Sequence, residues 1–345
     1  MARRELFLAL ICVAASALAA GASAGRMVGV YELKKGDFSV KVTNWGATII
    51  VERVNDTSFF GPVAGRVAQR IARGRFVLDG KVYHLAINDG KNTLQGGGRG
   101  FHKVIWTVKE YVAGGDSPYI TLYYRSFDGE HGFPGNLDVH VTYRVSASSG
   151  SPYYALGVHT NATALDKATP VNLLQHTYWN LAGHGHGDVL DHTLRLFASR
   201  YTPLNAEMLP SSGRVAPVAG TPFDFRAPTP IGARIRGVMG GRVVGYDANY
   251  VFDGEERMMR RVAHVRDGAS GRALELWGNQ PCVQLYTANW LNRTAGKGGE
   301  VYDRYAGFCL EMQGYPDAVN HPEFPSQILR RGQVYRHDMV FKLSF

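Results

Sequence analysis

The chain has 345 residues, with 38 Lys and Arg against 29 Asp and Glu, a formal charge of +9 and 45% apolar residues. The basic residues are scattered rather than clustered, which argues against nucleic-acid binding. Three cysteines are too few for a disulfide framework, and the length suits one large all-β domain with a sizeable core.

The first 24 residues read as a secretory signal peptide. Arg3 and Arg4 make a basic start, residues 6–20 are almost wholly apolar, and Ala22-Ser23-Ala24 fits a small-residue cleavage site. The apolar stretch is short for a membrane span, and no later segment has that character. A soluble mature chain, residues 25–345, is therefore expected to be secreted or to reach a vacuole-like lumen. Sequons at Asn55, Asn161 and Asn292 agree with that route and suggest a glycoprotein. Cys12 falls in the leader, leaving Cys282 and Cys309 as two buried thiols or one bridge.

Past the leader, helical periodicity is scarce and period-2 alternation is frequent. Strand-like runs occupy residues 119–125, 137–145, 153–159, 194–198, 283–290, 307–312 and 335–345, separated by Gly, Pro, Asn and Asp clusters. Leu137, Val139, Val141, Tyr143 and Val145 alternate with polar residues, as do Tyr335, His337, Met339, Phe341, Leu343 and Phe345. The pattern predicts a single all-β domain of two large sheets packed face to face. Trp45, Trp106 and Trp277 are expected in its core.

Two segments carry chemistry. In the first, residues 169–181, a strand would put His176 and Tyr178 on one face, amid hydrogen-bonding and aromatic groups suited to a sugar. A histidine titrates near neutrality, so His176 is either a proton-transfer group or a hydrogen-bonded structural residue. In the second, Phe308-Cys309-Leu310-Glu311-Met312-Gln313, one carboxylate sits in an apolar strand before a Gly/Pro/Asp turn. Burying a lone carboxylate is costly unless it is bonded or used. Glu311 is either a salt-bridged rim residue or a general base.

Nine or so landmarks in order give the chain a resemblance to the aldose 1-epimerase (galactose mutarotase) family. They are Asn44-Trp45-Gly46-Ala47, the stretch from Gly65 through Arg70 to Phe76, Asn88-Asp89-Gly90 with Asn92 to Gly97, and Gly132-Phe133-Pro134-Gly135. The His176 segment, Thr221-Pro222-Phe223-Asp224-Phe225-Arg226, Gly245-Tyr246-Asp247-Ala248-Asn249-Tyr250, Val283-Gln284-Leu285-Tyr286-Thr287 and the Glu311 run follow. The resemblance implies a large antiparallel β-sandwich with a sugar cleft in one curved sheet. It makes His176 the general acid and Glu311 the general base, with Arg70, Tyr178, Asp247 and Gln284 holding sugar hydroxyls. Anomers of a free hexose, galactose or glucose, would interconvert as Glu311 takes the C1 hydroxyl proton and His176 protonates the ring oxygen. No cofactor or metal is expected, and Glu311 is to be ionised while His176 is protonated. The partner is a monosaccharide, with no nucleic acid and no membrane after leader removal; monomer and dimer stay open.

Three positions depart from the family pattern. Gln69 stands where Asn is usual, Gln95 where His is usual, and His102 where Asp is usual. Glutamine still exchanges hydrogen bonds, so Gln69 and Gln95 are retained as substrate-binding residues, but neither can carry a proton at neutral pH. This motivates the alternative of a secreted, non-catalytic carbohydrate-binding protein. A two-carboxylate glycosidase built on Glu311 and Asp247 and a sugar-phosphate epimerase fit the surrounding residues less well. His184, His186, Asp188 and His192 have metal-like spacing but read as a polar loop, and Gly96 to Gly100 read as a site-lining turn rather than a phosphate loop.

Overall fold

The computed structural model describes residues 27–50, 59–147, 153–211, 213–240, 242–254 and 258–345. The leader and the Asn55 sequon lie outside them. Two antiparallel sheets dominate. The larger has nine strands in the order Thr229–Pro230, Thr193–Leu196, Arg260–Arg266, Ala273–Gly278, Val334–Ser344, Tyr153–Ala164, Leu137–Ala147, Tyr119–Ser126 and Thr107–Val112. The smaller has six: Tyr178–Trp179, Phe308–Gln313, Cys282–Tyr286, Asp247–Val251, Arg200–Tyr201 and Ala216–Pro217. The expected all-β sandwich is thus present.

Period-2 patterning builds the core. The larger sheet turns Leu137, Val139, Val141, Tyr143 and Val145 inward, with Leu274, Leu276, Met339, Phe341 and Leu343 from its central strands. The smaller sheet adds Phe308, Leu310 and Met312, then Val283 and Leu285, then Ala248 and Tyr250. Its opposite face carries the alternate residues: Cys309, Glu311 and Gln313, then Gln284, then Asp247 and Asn249. Every residue of Phe308–Gln313 is buried, because the chain from Val63 to Phe101 folds over this second face. That cover has its own small core of Val67, Ile71, Phe76, Leu78 and Leu85, joined by Phe133 from further along the chain. A strand buried on both sides loses visible alternation.

Two details differ from the sequence reading. Trp106 is buried and Trp277 partly so, but Trp45 is 39% exposed. Its neighbour Asn44 takes the buried position instead, bonding to the Gly29 amide and the Trp106 carbonyl. The run expected at 283–290 is a strand only over Cys282–Tyr286. Cys282 and Cys309 are both buried and form no disulfide, the first of the two arrangements expected. No helix among the described residues is long and apolar enough to cross a membrane.

Candidate active site

Three strands deliver the site, and their register brings its residues together. Gln284 pairs with Glu311 and with Asn249, while Tyr286 pairs with Cys309 and with Asp247. Glu311, Gln284 and Asp247 therefore form one patch. Gln284 Nε2 donates to Asp247 Oδ1 at 2.5 Å. Gln284 Oε1 and Glu311 Oε2 are buried acceptors with no protein donor. Such acceptors cost free energy until a donor reaches them, and the hydroxyls of a sugar are donors.

His176 arrives from a broken strand rather than the continuous one expected. Leu174–Gln175 pairs with Val63–Ala64, whereas Tyr178–Trp179 joins the six-stranded sheet. His176 lies between, its amide donating to the Pro62 carbonyl and its carbonyl accepting from Gly61. The break swings the imidazole toward the sheet. His176 Nε2 lies 3.3 Å from Glu311 Oε1. Its ring stacks on Tyr178 with centroids 5.3 Å apart and meets the edge of Tyr286 at 6.3 Å. Phe59 covers its other face at 5.7 Å.

Burial acts oppositely on the two partners. It raises the Glu311 carboxyl well above the usual carboxylate range, with Asp247 adding to the rise, and it pushes His176 down to about 4. The expected order, ionised Glu311 beside protonated His176, needs amending. Burial alone favours a protonated Glu311 beside a neutral imidazole. Both distributions hold one proton, and 3.3 Å separates the atoms that exchange it. Asp247 is also raised by burial, opposed by Arg70 and by the bond from Gln284.

Arg70 and Arg66 share one motif but not one task. Arg66 is buried and donates to the carbonyls of Pro134 and Gly135, to Thr169 Oγ1 and to Ser126 Oγ. It is a structural clamp. Arg70 Nε donates to Asp89 Oδ2 at 2.6 Å, and the guanidinium is near enough to lower Asp247. Asp317, at the end of the Glu311 run, receives the Ala72 amide and locks the Arg70 segment over the sheet.

Gln69 and Gln95 are both buried and bond to each other, which differs from the expectation that both simply offer amides to a sugar. Gln95 Oε1 accepts from the Gln69 backbone amide, and the Gln69 carbonyl accepts from the Gln95 amide. The Gln95 carbonyl is thus occupied, leaving its Nε2 as the group it can present. Both residues have positive φ, 61° and 51°, a conformation costing about 1–2 kcal/mol in a non-glycine residue. A side chain at the following Gly96 would strike the Gly65 carbonyl at 1.9 Å. His102 is buried behind Phe59, their rings 4.6 Å apart, and burial pushes it down to about 3.

The His184 loop brings no metal set together. His192 Nε2 accepts from the Leu181 amide, and the His186 ring bonds to the His184 carbonyl. Among the described residues, the one trio of metal-ligand atom types within 4.8 Å of one another is His176, Cys309 and Glu311. A cavity of about 470 Å³ lies beside Tyr178, lined also by Phe60, Tyr302, Asp188 and Glu300. Sequence reasoning passed over Tyr286 and Phe59, which wall the imidazole, and Asp89, which fixes Arg70. Tyr286 was signalled by its place two residues beyond Gln284 on an alternating strand.

Comparison with known proteins places the chain in a family. Residues 29–342 match the family model described as aldose 1-epimerase. Galactose mutarotase of Rattus norvegicus is 40% identical, covering 93% of this chain and 96% of the rat protein. Galactose mutarotase of Homo sapiens is 41% identical over the same shares. Among solved structures, an aldose epimerase homologue from C. elegans superposes with a TM-score of 0.82 at 25% identity, covering 92% of this chain and 99% of the other.

Proposed function

The chain belongs to the aldose 1-epimerase family, and on that premise we propose how its own residues perform the reaction. The protein is an isomerase, a mutarotase that interconverts the α and β anomers of free hexoses such as galactose and glucose. The observation that carries the mechanism is the 3.3 Å contact between His176 and Glu311, beside the two acceptors lacking donors.

The sugar's C1 hydroxyl donates to Glu311 Oε2, and its ring oxygen faces His176 Nε2. Glu311 takes the hydroxyl proton while His176 releases its own to the ring oxygen; the C1–O5 bond breaks and an aldehyde forms at C1. Rotation about C1–C2 presents the other carbonyl face. Closure returns both protons, so the pair ends as it began. A raised Glu311 is a stronger base, and a lowered His176 a stronger acid. Both shifts ease ring opening, and burial favours the proton distribution that opening creates.

Arg70, Asp247, Gln284 and Tyr178 hold the remaining hydroxyls, together with the amides of Gln69 and Gln95; fixing the ring within reach of both groups supplies much of the rate. The non-catalytic alternative has no observation in its favour, since the acid/base pair is assembled. We also propose that the protein is secreted and glycosylated, supported by the leader composition and by exposed Asn161 and Asn292. Sequencing the mature N-terminus tests this, with Gly25 expected and an intact Met1 contradicting it. Polarimetry of fresh α-D-galactose tests the activity itself. A rate no faster than buffer would sink the mutarotase reading.

A further inference from the structure

Cys309 lies on the site face of its strand, two residues before Glu311, and the reaction just described leaves it without a task. It is fully buried, and its Sγ is 3.7 Å from His176 Nδ1, the ring nitrogen opposite the one that meets Glu311. Tyr178, directly across the strand pair from Cys309, hydrogen-bonds to the same sulfur. Sulfur is thereby held from two sides.

The contact between Sγ and Nδ1 fits a hydrogen on either atom, and the His176 tautomer decides which one donates. A neutral imidazole that keeps Nε2 bare toward the ring oxygen carries its hydrogen on Nδ1. Resting on that mechanism, we propose that Cys309 is a positioning residue: its sulfur accepts from Nδ1–H and keeps that proton in place through the cycle. Nε2 is then the one ring nitrogen that gains and loses a proton. This satisfies a requirement of the reaction. His176 must pass between a form protonated at both nitrogens and a neutral form whose bare nitrogen faces the ring oxygen. The bond made at one nitrogen sets which proton leaves the other. Were Nδ1 to deprotonate instead, neutral His176 would keep Nε2–H and could not take the proton back at closure.

The titratable groups that face His176 are Glu311 and Cys309 from one strand, Tyr286 from the next, Tyr178 from its own segment and His102 beyond Phe59, while Asp247 acts on Glu311. Removing an acceptor from Nδ1 weakens the charged imidazolium, so the acid limb of the pH profile should move to lower pH.

The experiment measures kcat and KM for α-D-galactose across pH for wild type, Cys309→Val and Cys309→Ser, with 15N spectra of labelled His176 in the wild type. Cys309→Val should lower kcat at least about tenfold, change KM less than about twofold and shift the acid limb down; Cys309→Ser should recover most of kcat. The spectra should place the resting proton on Nδ1 with and without sugar. Wild-type kcat and pH profile in Cys309→Val would overturn the proposal, as would parallel losses in kcat and KM in both variants. If the valine variant does not fold, the wild-type spectra decide, and a resting proton on Nε2 sinks the idea. An inert wild type would contradict the mutarotase reading instead, so the two failures are distinguishable.

Discussion

The two faces of the six-stranded sheet are made by the same strands and differ in almost every other respect. Toward the sandwich, Phe308, Leu310, Met312, Val283 and Leu285 fill space with interchangeable apolar volume. On the other side, Cys309, Glu311, Gln284 and Asp247 act through single atoms at fixed distances. The core face stabilises the molecule by burial. The site face keeps three acceptors without protein donors, on Gln284, Glu311 and Gln313, and a carboxyl far from its ordinary pKa, costs of the kind that functional sites carry. A shift of one residue along a strand should therefore exchange one kind of failure for the other.

The largest expected effect lies on the site face. His176→Asn should lower kcat by about 10²–10⁴-fold while the protein still folds, measured by polarimetry beside a thermal melt. One strand position away, Leu310→Ala should lower stability by about 2–5 kcal/mol in denaturant titration, with the folded fraction keeping its specific activity. Loss of activity without loss of stability there would break the contrast.

Titration sharpens the comparison, because the core face has no acid/base pair, and Tyr250 on that face is raised by burial well above its ordinary value. The working pair holds one proton. His176, lowered to about 4, gains a second proton as pH falls, so kcat/KM should drop through about pH 4. Glu311, raised by burial, loses the shared proton only well above the usual carboxylate range, which sets the alkaline limb. Stability follows with matching signs. Depressed His176 contributes above its ordinary value near 6.5 and loses that contribution as pH falls toward 4. Raised Glu311 contributes below the ordinary carboxylate value and loses it as pH rises through its own pKa. His176→Asn should accordingly flatten the stability profile between about pH 6.5 and 4. The smallest effect is expected at Gln284→Ala, which removes one hydroxyl partner. KM should rise about tenfold with kcat within threefold, and an unchanged KM would remove Gln284 from the sugar's shell.

Where one physical rule dominated, the sequence was legible. The strands Leu137–Ala147 and Val334–Ser344 follow period two because one of their faces meets the core and the other solvent. Glu311 stood out because a carboxylate in an apolar run has few idle explanations. Long-range contacts were not legible. The strand break that aims His176 depends on pairing with Val63–Ala64, more than a hundred residues away. Arg66 stood in a landmark run without a task of its own, and only the fold shows its five hydrogen bonds. Nothing in the composition of Gln95 says that its carbonyl serves the Gln69 amide. Cys309 read as a buried thiol, and only the fold puts its sulfur beside an imidazole.

Glu311 joins these threads, since it alone shares a strand with the core and a proton with His176. The most direct measurement follows optical rotation of fresh α-D-galactose with wild type and Glu311→Gln, with calorimetry of sugar binding by both. The expected result is rapid mutarotation by wild type, and a glutamine variant that binds sugar yet turns it over no faster than buffer. Mutarotation by Glu311→Gln within a few-fold of wild type would contradict the account.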